Sequence, residues 1–68
     1  MMVELNGRSV ELPEGATVRD LIARSGVDGE AKGAAVALDG DVIPRGSWAA
    51  TELREGQSVE VVAAIQGG

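Results

Sequence analysis

Ser58-Val59-Glu60-Val61-Val62-Ala63-Ala64-Ile65 is the longest and most apolar strand-like run in the chain. Alternation gives it an inner set of Val59, Val61, Ala63 and Ile65 and an outer set of Ser58, Glu60, Val62 and Ala64. Its second half is therefore apolar on both faces. A strand of that kind belongs in the middle of a sheet rather than at an edge.

Working outward, the remaining segments supply neighbours for this strand. Ala34 to Leu38 alternates and turns at Asp39-Gly40 into Asp41 to Ile43, with Val36 meeting Ile43 on one face and Pro44 ending the pairing. Pro44 to Glu55 reads as an irregular crossover in which Ser47 is expected to cap a short helical turn holding Trp48; Glu55-Gly56 reads as a turn. At the other end, Met2 to Leu5 and Arg8 to Leu12 alternate around Asn6-Gly7, a dipeptide that tolerates the positive φ angles of a type I′ turn. The two-residue loop sets Val3 opposite Val10 and Glu4 opposite Ser9.

Between the hairpins, Pro13-Glu14-Gly15 breaks the sheet and Thr17 reads as a helix N-cap, with Asp20 three residues on as a short capping box. The helix is predicted to run to about Ser25. Val18, Leu21 and Ile22 form its apolar stripe, Arg19, Asp20, Ala23 and Arg24 point elsewhere, and Gly26 is placed as the C′ residue. Asp28 to Gly33 reads as an exposed, flexible loop. The order is hairpin, helix, hairpin, crossover, strand, which is α+β. One helix covers only one face, so the other face of the sheet meets solvent or a partner.

Composition narrows function by exclusion. With 68 residues there is one domain and a small core; ten of the thirty apolar residues are alanine, and Trp48 is the sole aromatic. No volume remains for a pocket that would enclose a substrate. The absence of Cys and His removes disulfides, imidazole catalysis and Cys/His zinc sites. Eleven acidic against six basic residues give a net charge of −5, which argues against nucleic acid or an anionic membrane and in favour of a basic partner. With no cationic leader and no long apolar run, a soluble cytoplasmic protein, monomeric when free, is expected.

Among the residues able to do chemistry, Ser9, Ser25, Ser47, Ser58, Thr17, Thr51, Lys32 and the carboxylates form no recognisable constellation. Lys32 reads as solvated. Asp39-Gly40-Asp41 reads as a turn, too poor in oxygen ligands for calcium, and no glycine-rich nucleotide motif occurs. Trp48 fits either a packing role or a partner contact. The ending, Ile65-Gln66-Gly67-Gly68, has two readings. It is a flexible end, or it is a slim tail that enters an enzyme channel and presents the Gly68 carboxylate, ionised at neutral pH, to the α-phosphate of ATP. Nothing in Gln66 to Gly68 can bury against the domain, so a domain over 1–65 and a flexible tail over 66–68 are expected. On the outer face Glu4, Ser9 and Glu11 are polar, whereas Ala35, Ala37, Val42, Val62 and Ala64 would form an apolar half. That half is a docking patch, or its alanines are fillers beneath a covering loop.

These residues resemble the ThiS family of bacterial thiamine-biosynthesis sulfur carriers, which are ubiquitin-like β-grasp proteins. The resemblance rests on Val3-Glu4-Leu5-Asn6-Gly7, on Val36-Ala37-Leu38-Asp39-Gly40-Asp41-Val42-Ile43-Pro44-Arg45 followed by Trp48, and on Gly56 with Val59-Glu60-Val61-Val62 through Gln66-Gly67-Gly68. The loop from Asp28 to Lys32 departs from it in being somewhat long. The resemblance implies a mixed sheet of four to five strands with one main helix across one face, and with the first and last strands central and parallel. It implies no catalysis by the chain itself and no bound cofactor. A ThiF-type adenylating enzyme of the ubiquitin-activating kind would use ATP and magnesium to adenylate Gly68; a sulfur-donating enzyme would supply the sulfur of a Gly68 thiocarboxylate, and a ThiG-type thiazole synthase would accept it. A carrier serving molybdopterin, cysteine or a secondary metabolite is an alternative, as is a β-grasp binding module or protein modifier.

Overall fold

The computed structural model describes residues 1–25 and 34–62; Gly26, the loop from Asp28 to Gly33, and Ala63, Ala64, Ile65, Gln66, Gly67 and Gly68 lie outside the described residues. Five strands form one sheet: β1 (Met2–Leu5), β2 (Arg8–Glu11), β3 (Ala35–Leu38), β4 (Asp41–Ile43) and β5 (Ser58–Val62). Helix α1 (Val18–Ser25) lies between β2 and β3, and a 3-10 helix, Arg45–Ala50, lies between β4 and β5. The sheet order is β2-β1-β5-β3-β4. β5 is central, parallel to β1 and antiparallel to β3, as its double-sided apolarity requires.

Both hairpins have the expected register. Val3 faces Val10 and Glu4 faces Ser9 in the first, and Val36 faces Ile43 in the second. Each closes through a two-residue turn with positive φ at both positions: 50° and 83° at Asn6-Gly7, 48° and 89° at Asp39-Gly40. That is the type I′ geometry whose twist matches the strands it joins.

The core lies between the helix-facing side of the sheet and α1. Val3, Val36, Val59 and Val61 meet Val18, Leu21 and Ile22, and Leu12, Ala16, Trp48 and Leu53 close the ends. Burial of this set is the main drive to fold. Trp48 is a core residue, 3% exposed, with its indole N–H donating to the Ile43 carbonyl at 2.9 Å. The packing role is therefore the one it fills. The expected cap at Ser47 is not formed: Pro44 occupies the N-cap position, fixed at φ −59°, and Ser47 sits inside the 3-10 turn, where its carbonyl accepts from the Thr51 hydroxyl.

The capping box of α1 is complete. The Thr17 N–H donates to Asp20 Oδ2 at 2.9 Å, and the Asp20 N–H donates to Thr17 Oγ1 at 3.2 Å. The Val18 N–H is taken by the Thr51 carbonyl and the Ala16 carbonyl by Leu53 N–H, which stitches the helix entry to the crossover. Thr17→Ala is expected to cost about 1 kcal/mol, lowering the melting temperature by roughly 4–8 °C in a domain of this size.

The Thr17 N–H, then its hydroxyl, and last the charge of Arg24 hold the Asp20 carboxyl below the usual carboxylate range. A carboxyl whose pKa is lower folded than unfolded stabilises above its unfolded pKa and loses that contribution as pH falls through the folded value. The stability advantage of wild type over Asp20→Asn should therefore be full at neutral pH and shrink in acid below about pH 4. Thermal melts of both proteins across that window check it; an advantage that is constant into strong acid contradicts it.

Candidate functional site: the outer sheet face

Strand parity, set by the buried side chains Val3, Val36, Val59 and Val61, sends Met2 and Glu4 of β1, Ser9 and Glu11 of β2, Ala35 and Ala37 of β3, Val42 of β4, and Ser58, Glu60 and Val62 of β5 to the face away from α1. Among the described residues the large hydrophobics left exposed are Val42 at 73%, Val62 at 60% and Met2 at 42%, and all three lie on this face. No described element covers it.

The apolar half has a definite arrangement. Ala35 pairs with Val62 in one cross-strand row, and Glu60, Ala37 and Val42 line up in the next. Four of the five predicted patch residues thus form one contiguous surface over three adjacent strands. The fifth, Ala64, lies outside the described residues, as do the tail residues Gln66, Gly67 and Gly68. Small side chains keep the patch flat, and the neighbouring half carries Glu4 and Glu11 on β1 and β2. The surface therefore offers apolar contact beside negative charge, suited to a partner that is apolar at the contact and basic around it. Met2 was not among the expected patch residues, although the alternation of β1 contained the signal: with Val3 inward, Met2 must face out.

Two side chains, Asn6 and Asp39, hold the backbone of β5. The Asn6 side chain bonds the backbone of Val61, with Oδ1 accepting the N–H at 2.9 Å and Nδ2 donating to the carbonyl at 3.2 Å. At the other end Asp39 Oδ1 accepts the Ser58 N–H at 2.9 Å and Oδ2 accepts Gln57 Nε2 at 3.2 Å. Asp39 is thereby engaged in the turn and in β5, as the turn reading of Asp39-Gly40-Asp41 implies. The Arg45 guanidinium stands 5.0 Å from the centroid of the Trp48 ring. Among the described residues no group of three carboxylates gathers as a metal-holding cluster, and no helix is long and apolar enough to cross a membrane.

Comparison with known proteins gives a consistent set of findings. The model of the ThiS family matches residues 2–68. The crystal structure of a thiamine biosynthesis protein (ThiS) from Geobacter metallireducens is similar with a TM-score of 0.80 and 28% identity, all of both chains being covered. The NMR solution structure of a thiamine biosynthesis protein from the same organism is similar with a TM-score of 0.74 and 30% identity, over 100% of this chain and 88% of the other. No curated protein matches the chain.

Proposed function

The chain belongs to the ThiS family, and from that premise we propose that it carries sulfur for thiazole formation in thiamine biosynthesis, as a thiocarboxylate on Gly68. The observation that supports this most is the extent of the family match, which runs through Gln66, Gly67 and Gly68 as well as the β-grasp sheet. The lack of Cys and His in the chain agrees with a role in which the chemistry is done on a partner.

In this reading the β-grasp domain is the handle and the tail is the reactive part. The patch of Ala35, Ala37, Val42 and Val62 docks on a ThiF-type adenylating enzyme, which binds ATP and magnesium. A Gly68 carboxylate oxygen attacks the α-phosphate and pyrophosphate leaves, giving an acyl adenylate. A carboxylate is a poor acceptor for sulfur; in the mixed anhydride, sulfur at the oxidation level of sulfide, supplied by a donor enzyme, attacks the acyl carbon, and the C–S bond forms as the C–O bond to AMP breaks and AMP leaves. Thiazole synthase then takes the sulfur from the thiocarboxylate, so that free sulfide is never released. Gln66 and Gly67 contribute reach and slimness: three residues span about 10 Å when extended.

Mass spectrometry of the protein isolated from thiamine-starved cells tests the proposal. The expected result is a species heavier by the difference between one sulfur and one oxygen, with the added mass on the C-terminal fragment that contains Gly68. A tail found only as free carboxylate, or joined to lysine through an amide, would contradict it.

A further inference from the structure

The Asn6–Val61 contact carries a consequence for the tail. In β5 the N–H and C=O of alternate residues point to opposite neighbours. Those of Val59 and Val61 point toward β1: the Val59 carbonyl accepts the Asn6 N–H at 2.9 Å. Beyond Asn6 the backbone of β1 has gone, because the chain turns away through Asn6-Gly7 into β2. Val61 would be left with an unpaired donor and acceptor on that side, a costly state for strand backbone. The Asn6 carboxamide fills the gap with one acceptor and one donor, in the places a peptide group of β1 would have occupied.

From this we infer that Asn6 is a positioning residue for the sulfur-bearing tail, acting through Val61. The inference rests on the carrier reading above. Val61 precedes Val62, the exposed β5 member of the docking patch, and all of the chain to Gly68 follows from there. With the carboxamide in place β5 is paired on both sides up to its described end, with β3 at Ala35↔Val62 and with Asn6 at Val61. Without it, the last part of β5 is an edge free to open locally. The tail would then leave the docked domain from a variable point and direction. Asp39 does the corresponding service at the start of β5, where its carboxylate takes the Ser58 N–H; it holds the far end and has no lever on the tail.

Asn6→Gly separates this role from the turn, since glycine accepts the positive φ that the position needs while removing the carboxamide. Asn6→Asp keeps the acceptor for the Val61 N–H and replaces the donor. Both are compared with wild type and with Thr17→Ala, a destabilised control altered at the helix start, outside the patch. Two measurements are made: amide hydrogen exchange of the free proteins, and ATP–pyrophosphate exchange catalysed by the cognate adenylating enzyme as a function of carrier concentration. Asn6→Gly should speed exchange of the Val61 amide by about tenfold and lower kcat by up to about a hundredfold, with a much smaller effect on KM because Ala35, Ala37 and Val42 of the patch lie on β3 and β4. Asn6→Asp should retain Val61 protection yet lose part of kcat, and Thr17→Ala should keep both. Wild-type kcat in Asn6→Gly, or a KM effect alone, overturns the positioning role while leaving the carrier reading standing. Failure of wild type itself to support exchange overturns the carrier reading, and the positioning role with it.

Discussion

Adding one residue after Gly68, or deleting Gly68, is expected to abolish adenylation while leaving the fold and its thermal stability unchanged. Either change moves the terminal carboxyl carbon by about 3.5 Å along an extended chain. Reaction at the α-phosphate needs near-attack geometry, and a displacement of only about 1 Å can cost about a hundredfold in rate. The loss should therefore reach the background of the assay. Stability should not follow, because Gln66, Gly67 and Gly68 bring no apolar side chain to a core. Pyrophosphate exchange into ATP with the cognate adenylating enzyme reads the first effect, and thermal denaturation the second. Exchange at the wild-type rate by the extended protein would sink the carrier reading. Loss of exchange together with a large fall in melting temperature would mean instead that the terminal glycines serve the fold.

The parts of this fold that were legible in the sequence are those written in local chemistry. Asn6-Gly7 and Asp39-Gly40 specify I′ turns, a two-residue loop leaves one register, and that register decides which side chains face the core. Thr17 with Asp20 fixes the helix start for the same reason: both partners lie within one turn of chain. The central place of β5 followed from its apolar run, which suits a strand paired along both edges better than one at the margin of the sheet. What stayed hidden depends on elements far apart in sequence. Asn6 and Asp39 are ordinary turn residues by pattern, and only the sheet order brings their side chains onto the backbone of β5, 55 and 19 positions away. Ser47 misled because a serine before an apolar residue has the local form of a cap, whereas Pro44 already sets the chain direction three residues earlier. The apolar half of the outer face was legible from alternation; that Val42 and Val62 are its most exposed members required the structure.

This exposure makes the proposed docking face separable from the fold. Val62→Asp is expected to weaken binding to the adenylating enzyme far more than Glu60→Gln, although the two residues are two positions apart on the same strand and face. Val62 is 60% exposed in the free domain, so an aspartate there remains hydrated and stability changes little. If the proposed docking holds, the same carboxylate would enter the contact made by Val62, Ala35, Ala37 and Val42, all apolar side chains that offer it no cation. An uncompensated charge in a desolvated contact costs roughly 2 to 5 kcal/mol, or from about thirtyfold to several thousandfold in Kd. Glu60 borders the acidic half of the face. Neutralising it removes attraction to a basic partner without adding a buried charge, and the effect should appear mainly in the association rate and its salt dependence. Calorimetric titration of the two variants against the adenylating enzyme, with stopped-flow association at two salt concentrations, distinguishes these cases. Equal affinities for wild type and Val62→Asp would place the docking surface elsewhere. A larger loss for Glu60→Gln would mean that an ion pair, rather than the apolar rows, holds the complex together.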